Sequence, residues 1–230
     1  VIDSAIENRI FPGAQVAIVH NGELIENRGF GKYTYDLESK EVSDSSIYDV
    51  ASLTKVLSTV PVFMKLMSQY QINLDHEVAQ YYPEFNADGK KDITLKHLLM
   101  HNSGLPGYVE FFKDKNINSK QDVINAILKQ GLVYLPGENY EYSDLGIILL
   151  GSIIEMVSDQ PLDSLADRYV YRPLRMTSTM YNPDSILKGL VVPTEYDSTY
   201  RGRLLLGEVH DENAWVMGGV APHAGLFSTA

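Results

Sequence analysis

Two β-prone runs, residues 14–20 and 23–31, are joined by Asn21-Gly22. That dipeptide suits a type I′ turn, because both central residues must adopt positive φ, so the runs read as an antiparallel hairpin. A lone hairpin is marginal in water, so the chain needs further strands or a packed helical layer. From Ser52 the pattern changes. Leu53, Val56, Leu57, Val60, Phe63, Met64 and Met67 recur at i, i+3 and i+4, which predicts a helix with one buried face. Helical patterns follow at 95–101, 121–130 and 145–157, with Pro83, Pro106, Pro136 and Pro161 at the joints. After Pro173 the chain is irregular and offers few strands. The expected class is α+β: an antiparallel sheet flanked by helices, with residues 1–50 and 174–230 in the sheet region and 51–173 in an inserted, mainly helical region. The remaining strands either hide in the irregular stretch or lie beyond Ala230, and the second reading is favoured.

Ser52-Leu53-Thr54-Lys55 opens the first helical pattern and sets a hydroxyl and an amine one turn apart. At roughly 100° per residue they sit about 60° apart around the axis, beside the apolar stripe, and Thr59 continues that edge. A serine there also lies near unpaired N–H groups and the positive end of a helix dipole. The plain alternative makes Ser52 an N-cap and Lys55 a solvated charge. Context separates this copy from Ser185-Ile186-Leu187-Lys188, which runs into Gly189 and reads as a loop. Further along, Pro136 to Gly146 leads from a turn into the 145–157 helix. An extended approach would project Tyr142 and Asp144 together, unless Asp144 is simply the helix N-cap and Tyr142 an interface aromatic.

Other classes of function fit poorly. The formal net charge is −11 without a basic run, which disfavours nucleic acid as a partner. No apolar run reaches the length of a membrane span, and no signal peptide is visible. The chain has no cysteine, which excludes disulfides, thiol nucleophiles and Cys-ligated zinc. His97 and His101 are four apart, but no Glu follows His97 to make a His-Glu-x-x-His site, and no metal or other cofactor is expected. No Gly-x-Ser-x-Gly elbow is present, and His210-Asp211 reads as a loop.

Three motifs together, Val50-Ala51-Ser52-Leu53-Thr54-Lys55, Ile93 through Pro106 with His101-Asn102-Ser103-Gly104-Leu105, and Pro136 through Gly146, resemble serine β-lactamase-related hydrolases. The resemblance is to the class C β-lactamase, D-alanyl carboxypeptidase and esterase group, and it extends over essentially the whole chain. It implies a β-lactamase/transpeptidase-like fold and an acyl-enzyme mechanism with Ser52, Lys55 and Tyr142 as catalytic residues. Ser52 would attack an ester or amide carbonyl. Lys55 can take its proton if desolvation keeps some amine neutral, and Tyr142 can pass a proton to the leaving group. The Ser52 N–H would form half of the oxyanion hole. Two departures stand out. The family usually has Asn where this chain has Asp144, and a carboxylate there favours charged Lys55. The third family motif, a Lys-Thr-Gly or His-Thr-Gly on a strand, is either His223-Ala224-Gly225 or lies beyond Ala230; the latter is favoured, with His223 still expected beside Asp144 as a substrate-binding residue. By the same resemblance, the substrate is a small ester, D-amino acid peptide, β-lactam or other peptidoglycan-derived molecule, and the location periplasmic or secreted. A noncatalytic, penicillin-binding-like module is the competing reading. Oligomeric state is not legible.

Overall fold

The computed structural model describes residues 1–70 and 72–230. Helix α1 (Ile2–Glu7) precedes the hairpin of β1 (Gly13–His20) and β2 (Glu23–Gly31), followed by the short strand β3 (Tyr48–Asp49). A π-helical turn, Lys55–Thr59, runs straight into α2 (Val60–Gln69). The helical part continues with α3 (Leu95–Leu99), α4 (Lys120–Leu128), α5 (Asp144–Ser158), α6 (Leu162–Ala166) and α7 (Arg172–Leu174). Last come β4 (Met180–Tyr181), β5 (Tyr196–Asp197), β6 (Arg203–Leu204), α8 (Glu212–Val216) and β7 (Leu226–Ser228).

The β1–β2 turn forms as expected, with φ of +50° at Asn21 and +82° at Gly22 and His20 facing Glu23. Strands also arise in the irregular-looking stretch. Leu226–Ser228 is the central strand of a three-stranded antiparallel sheet ordered β3–β7–β4, pairing Tyr48 with Ser228 and Met180 with Phe227. The favoured placement of the missing strands is thus corrected in part: some lie within residues 180–228. Segments of two or three residues carry too little alternation to announce themselves, and only long-range partners define them.

Most of the core is built around α5. Its residues from Leu145 to Ile154 are buried on every face, which marks a central helix rather than an amphipathic one. Ser143 caps it, accepting from the Gly146 N–H at 3.2 Å, and this frees Asp144, the first helical residue, for another partner. Ser119 and Thr94 cap α4 and α3 in the same way. The buried Lys90 donates to the carbonyls of Leu128 (2.8 Å) and Gln130 (3.0 Å), satisfying the C-terminal end of α4.

One expected pattern fails. In the predicted stripe of the first long helix, Leu53, Val56 and Met64 are exposed, whereas the buried side chains are Thr54, Lys55, Ser58, Thr59, Val62, Phe63 and Leu66. The π-helical turn inserts an extra residue and shifts the phase of everything before it. The polar side chains tolerate burial because residues 181 and 222–226 supply partners. Thr59 Oγ1 donates to Pro222 O (2.6 Å), Tyr181 Oη donates to Ser58 Oγ (2.9 Å), and the Leu226 N–H donates to Thr54 Oγ1 (3.1 Å).

Candidate active site

The local structure at Ser52 begins with a reversal of the chain. Ala51 has φ of +47°, a conformation a non-glycine residue adopts only when held there. Asp49 Oδ1 accepts from the Ala51 N–H at 2.8 Å, and Thr54 Oγ1 donates to the Ala51 carbonyl at 2.6 Å. This turns β3 sharply into the helix and leaves the Ser52 side chain exposed beside a buried Lys55.

Lys55 Nζ is the centre of the cluster. It lies 2.8 Å from Ser52 Oγ, 3.0 Å from the carbonyl oxygen of His223 and 2.8 Å from Asp144 Oδ1. The first two are aligned hydrogen bonds. The third is a charge contact without that alignment, and Asp144 Oδ1 accepts no hydrogen bond among the described residues. The ammonium also sits 4.9 Å from the centroid of the Tyr142 ring. As an ammonium, Lys55 donates to Ser52 Oγ and the His223 carbonyl and faces the Asp144 carboxylate with its charge. A neutral amine would keep two N–H groups for His223 O and Asp144 and turn its lone pair to the Ser52 hydroxyl.

Tyr142 stacks on His101, with centroids 4.6 Å apart and planes tilted by 36°. His101 itself has φ of +55°, and its Nδ1 accepts from the Ser143 N–H at 3.0 Å. Burial first, and then the nearby Lys55 charge, hold the His101 imidazole below its ordinary pKa. His97 turns away to the α3 cap, where its Nδ1 accepts from the Thr94 N–H, so the two histidines do not converge.

Sequence reasoning brought Ser52, Lys55, Tyr142 and Asp144 together, and here they meet around one nitrogen. His223 arrives differently. Its ring is 1% exposed and Nε2 lies 3.0 Å from Asp211 Oδ1, so only its backbone carbonyl reaches Lys55. The expectation of a cleft-lining imidazole is corrected: the ring has no surface to offer a ligand. Asp211 was missed. Asp211-Glu212 is an N-cap followed by a first-turn acid, the signal that could have revealed α8, and the Ala214 N–H donates to Asp211 Oδ1 at 2.7 Å. Burial works to raise the Asp211 pKa, but the His223 hydrogen bond and charge, the Ala214 N–H and Lys55 outweigh it and leave the carboxyl below its usual value. Ser185, by contrast, precedes only a short 3₁₀ turn, Leu187–Gly189.

The cluster opens into a cavity of about 500 Å³ walled by Leu53, Val56, Leu99, His101, Tyr142 and Ile147. A larger concavity of about 830 Å³ lies between Phe11, Tyr48, Leu57 and Met176; none of Ser52, Lys55, Tyr142 or Asp144 lines it, so size alone does not make it the site.

A family profile described as Beta-lactamase matches residues 1–230. The chain belongs to the beta-lactamase family. Within that family it is 32% identical to an N-acetylmuramyl-L-alanine amidase of Bacillus subtilis, covering 100% of this chain and 59% of the relative. It is also 32% identical to a putative D-alanyl-D-alanine carboxypeptidase of Escherichia coli, covering 95% and 57%. Its fold is similar to that of an octameric penicillin-binding protein homologue from Pyrococcus abyssi, with 25% identity, a TM-score of 0.81, and coverage of 98% of this chain and 51% of that one. This chain therefore spans just under three fifths of the curated relatives it matches. The β-lactamase/transpeptidase-like α+β fold expected from the motifs is the one found. No single helix among the described residues is long and apolar enough to cross a membrane.

Proposed function

We propose that this chain carries the nucleophilic half of a serine hydrolase that cleaves an amide bond in peptidoglycan-derived molecules through an acyl-Ser52 intermediate. The observation that carries the reading is the 2.8 Å contact between an exposed Ser52 Oγ and a buried Lys55 Nζ whose other contacts are spoken for. In this mechanism neutral Lys55 takes the Ser52 proton as Oγ bonds to the carbonyl carbon. The Ser52 N–H, at the entry to the helix, faces the oxygen that becomes negative. The C–N bond then breaks, and the amine leaves with a proton returned by Lys55 through Tyr142, whose ring covers Nζ. Water releases the acyl group and restores Ser52. Asp144 anchors the Lys55 amine, and His223-Ala224-Gly225 serves as a strap behind the lysine rather than as the substrate-facing strand motif, since residues 221–228 are all buried.

Amide cleavage in cell-wall material is favoured over simple esters by the relatives, named as an amidase and as putative carboxypeptidases. Such substrates place the protein in the periplasm or outside the cell. The second reading is a noncatalytic binding module, and the observation in its favour is the Asp144 carboxylate 2.8 Å from Lys55 Nζ, where the family usually has Asn. The test is intact-mass spectrometry with a fluorophosphonate and a labelled penicillin, followed by turnover of muramyl-L-alanine and D-alanyl-D-alanine peptides. It compares the chain, a C-terminally extended form and Ser52→Ala. A Ser52-dependent adduct with repeated product release supports the hydrolase. A stable adduct without release, or none in either form, moves the assignment to the binding module.

A further inference from the structure

Lys55 obtains one of its two aligned acceptors from a residue 168 positions away, and that residue's buried ring contacts Asp211, a pairing no part of the mechanism above uses. The strap from Gly218 to Gly225 has few ways to move. Gly219 and Gly225 sit at φ of +81° and +109°, and a Cβ on Gly225 would come within 2.4 Å of the Gly219 carbonyl oxygen. Pro222 packs on Gly151 of α5 so closely that a Cβ there would fall 2.0 Å from the proline ring, and Thr59 Oγ1 holds the Pro222 carbonyl at 2.6 Å. His223 Nε2 then meets Asp211 Oδ1 at 3.0 Å, while Nδ1 is buried with no hydrogen-bond partner. The ring therefore makes its one polar contact through Nε2.

Asp211 is fixed in turn. It caps α8, and Asn213 on the same helix bonds the Phe112 N–H (3.2 Å) and the Val109 carbonyl (2.9 Å). Beside it, Arg201 donates to the carbonyls of Val209 and His210 while paired with Asp197, and the His210 N–H donates to Asp49 Oδ2 at 2.7 Å. The charged and titratable groups around the couple are Lys55 and Asp144 toward the cleft, Asp49 on β3, His210 and Glu212 beside Asp211, and Tyr108, which feels both Asp211 and Asp144.

We infer that Asp211 and His223 form a positioning couple for Lys55: the Asp211–His223 bond sets the His223 carbonyl that aims the lysine amine at Ser52. This rests on the acyl-Ser52 reading, and neither residue touches substrate.

Substitution tests the couple. Asp211→Asn keeps an oxygen for His223 Nε2 and for the α8 cap, so the acylation rate should be nearly kept. His223→Leu leaves the cap but frees the strap. It should lower the plateau acylation rate on the order of tenfold or more with KM little changed, because misaligned reacting groups cost rate before binding. His223→Gln, whose amide N–H can still reach Asp211, should recover most of that loss. Each variant is measured in the C-terminally extended protein by the rate of Ser52 labelling and its dependence on reagent concentration, with melting curves alongside. The inference is overturned if labelling follows only the folded fraction, or if His223→Leu and His223→Gln label alike. Labelling that survives Ser52→Ala would instead sink the underlying nucleophile assignment.

Discussion

Gly151→Ala tests how tightly the centre of the core is tied to the lysine. Gly151 lies in the middle of α5, on the helix that anchors the fold, and its Cα faces the Pro222 ring. An added Cβ would sit 2.0 Å from Pro222 Cγ and 2.4 Å from Pro222 Cβ. Restoring an ordinary contact of 3.4 Å requires a separation of about 1.4 Å between α5 and the strap. Overpacking of this kind costs about 1–3 kcal/mol. The gain in helix propensity on replacing glycine by alanine offsets about 1 kcal/mol of that. The net loss is then about 0–2 kcal/mol, a fall of up to roughly 6 °C in Tm for a chain of this size. The larger effect falls on chemistry. The Thr59–Pro222 and Lys55–His223 bonds, 2.6 and 3.0 Å long, cannot both survive such a displacement, so Ser52 acylation should drop by about tenfold or more. Thermal melts and fluorophosphonate labelling rates measured on one preparation decide the matter. A variant that melts higher than wild type and labels at the wild-type rate would refute the coupling of α5 to Lys55.

Two further outcomes are expected. Asp144→Asn keeps an oxygen 2.8 Å from Lys55 Nζ but removes its negative charge, so the rate of Ser52 labelling at neutral pH should change several-fold; a rate equal to wild type would show that this carboxylate does not act on the lysine. His101 supplies a pH dependence of stability. The unfolded chain takes up its proton near pH 6.5 while the folded protein resists, so this contribution is complete above that value and is lost as the pH falls below it toward the lower folded-state pKa. Urea midpoints should decline between pH 7.5 and 5.5, more steeply than in His101→Gln; equal slopes in the two proteins would contradict the assignment.

Features set by local chemistry were readable from the sequence. The positive φ at Asn21 and Gly22 follows from residue type, and the 145–157 helix announces itself through a largely apolar run, although its cap is Ser143 rather than Asp144. Ser52, Lys55, Tyr142 and Asp144 were readable because two short motifs carry them. What stayed hidden depends on distance along the chain. Nothing near Asp211 reveals that it meets His223, and Leu226–Ser228 is a strand only because Tyr48 and Met180 come to lie on either side of it. Even a long pattern misled. The stripe after Ser52 was read at 3.6 residues per turn, whereas residues 55–59 wind more widely.

That wide turn makes the winding of the segment matter more than its composition. If residues 55–59 rewound at the same length as ordinary α-helix, Ser52 and Lys55 would swing by roughly 100° relative to Phe63 and Leu66. Lys55 would leave the interior, and Leu53 or Val56 would turn toward the space it vacates. The resulting helix would be more regular than the present one, with a smoother apolar face, and it would no longer set Ser52 beside a buried Lys55. In this protein the irregular winding lets one helix both fill the core and carry the Ser52–Lys55 pair.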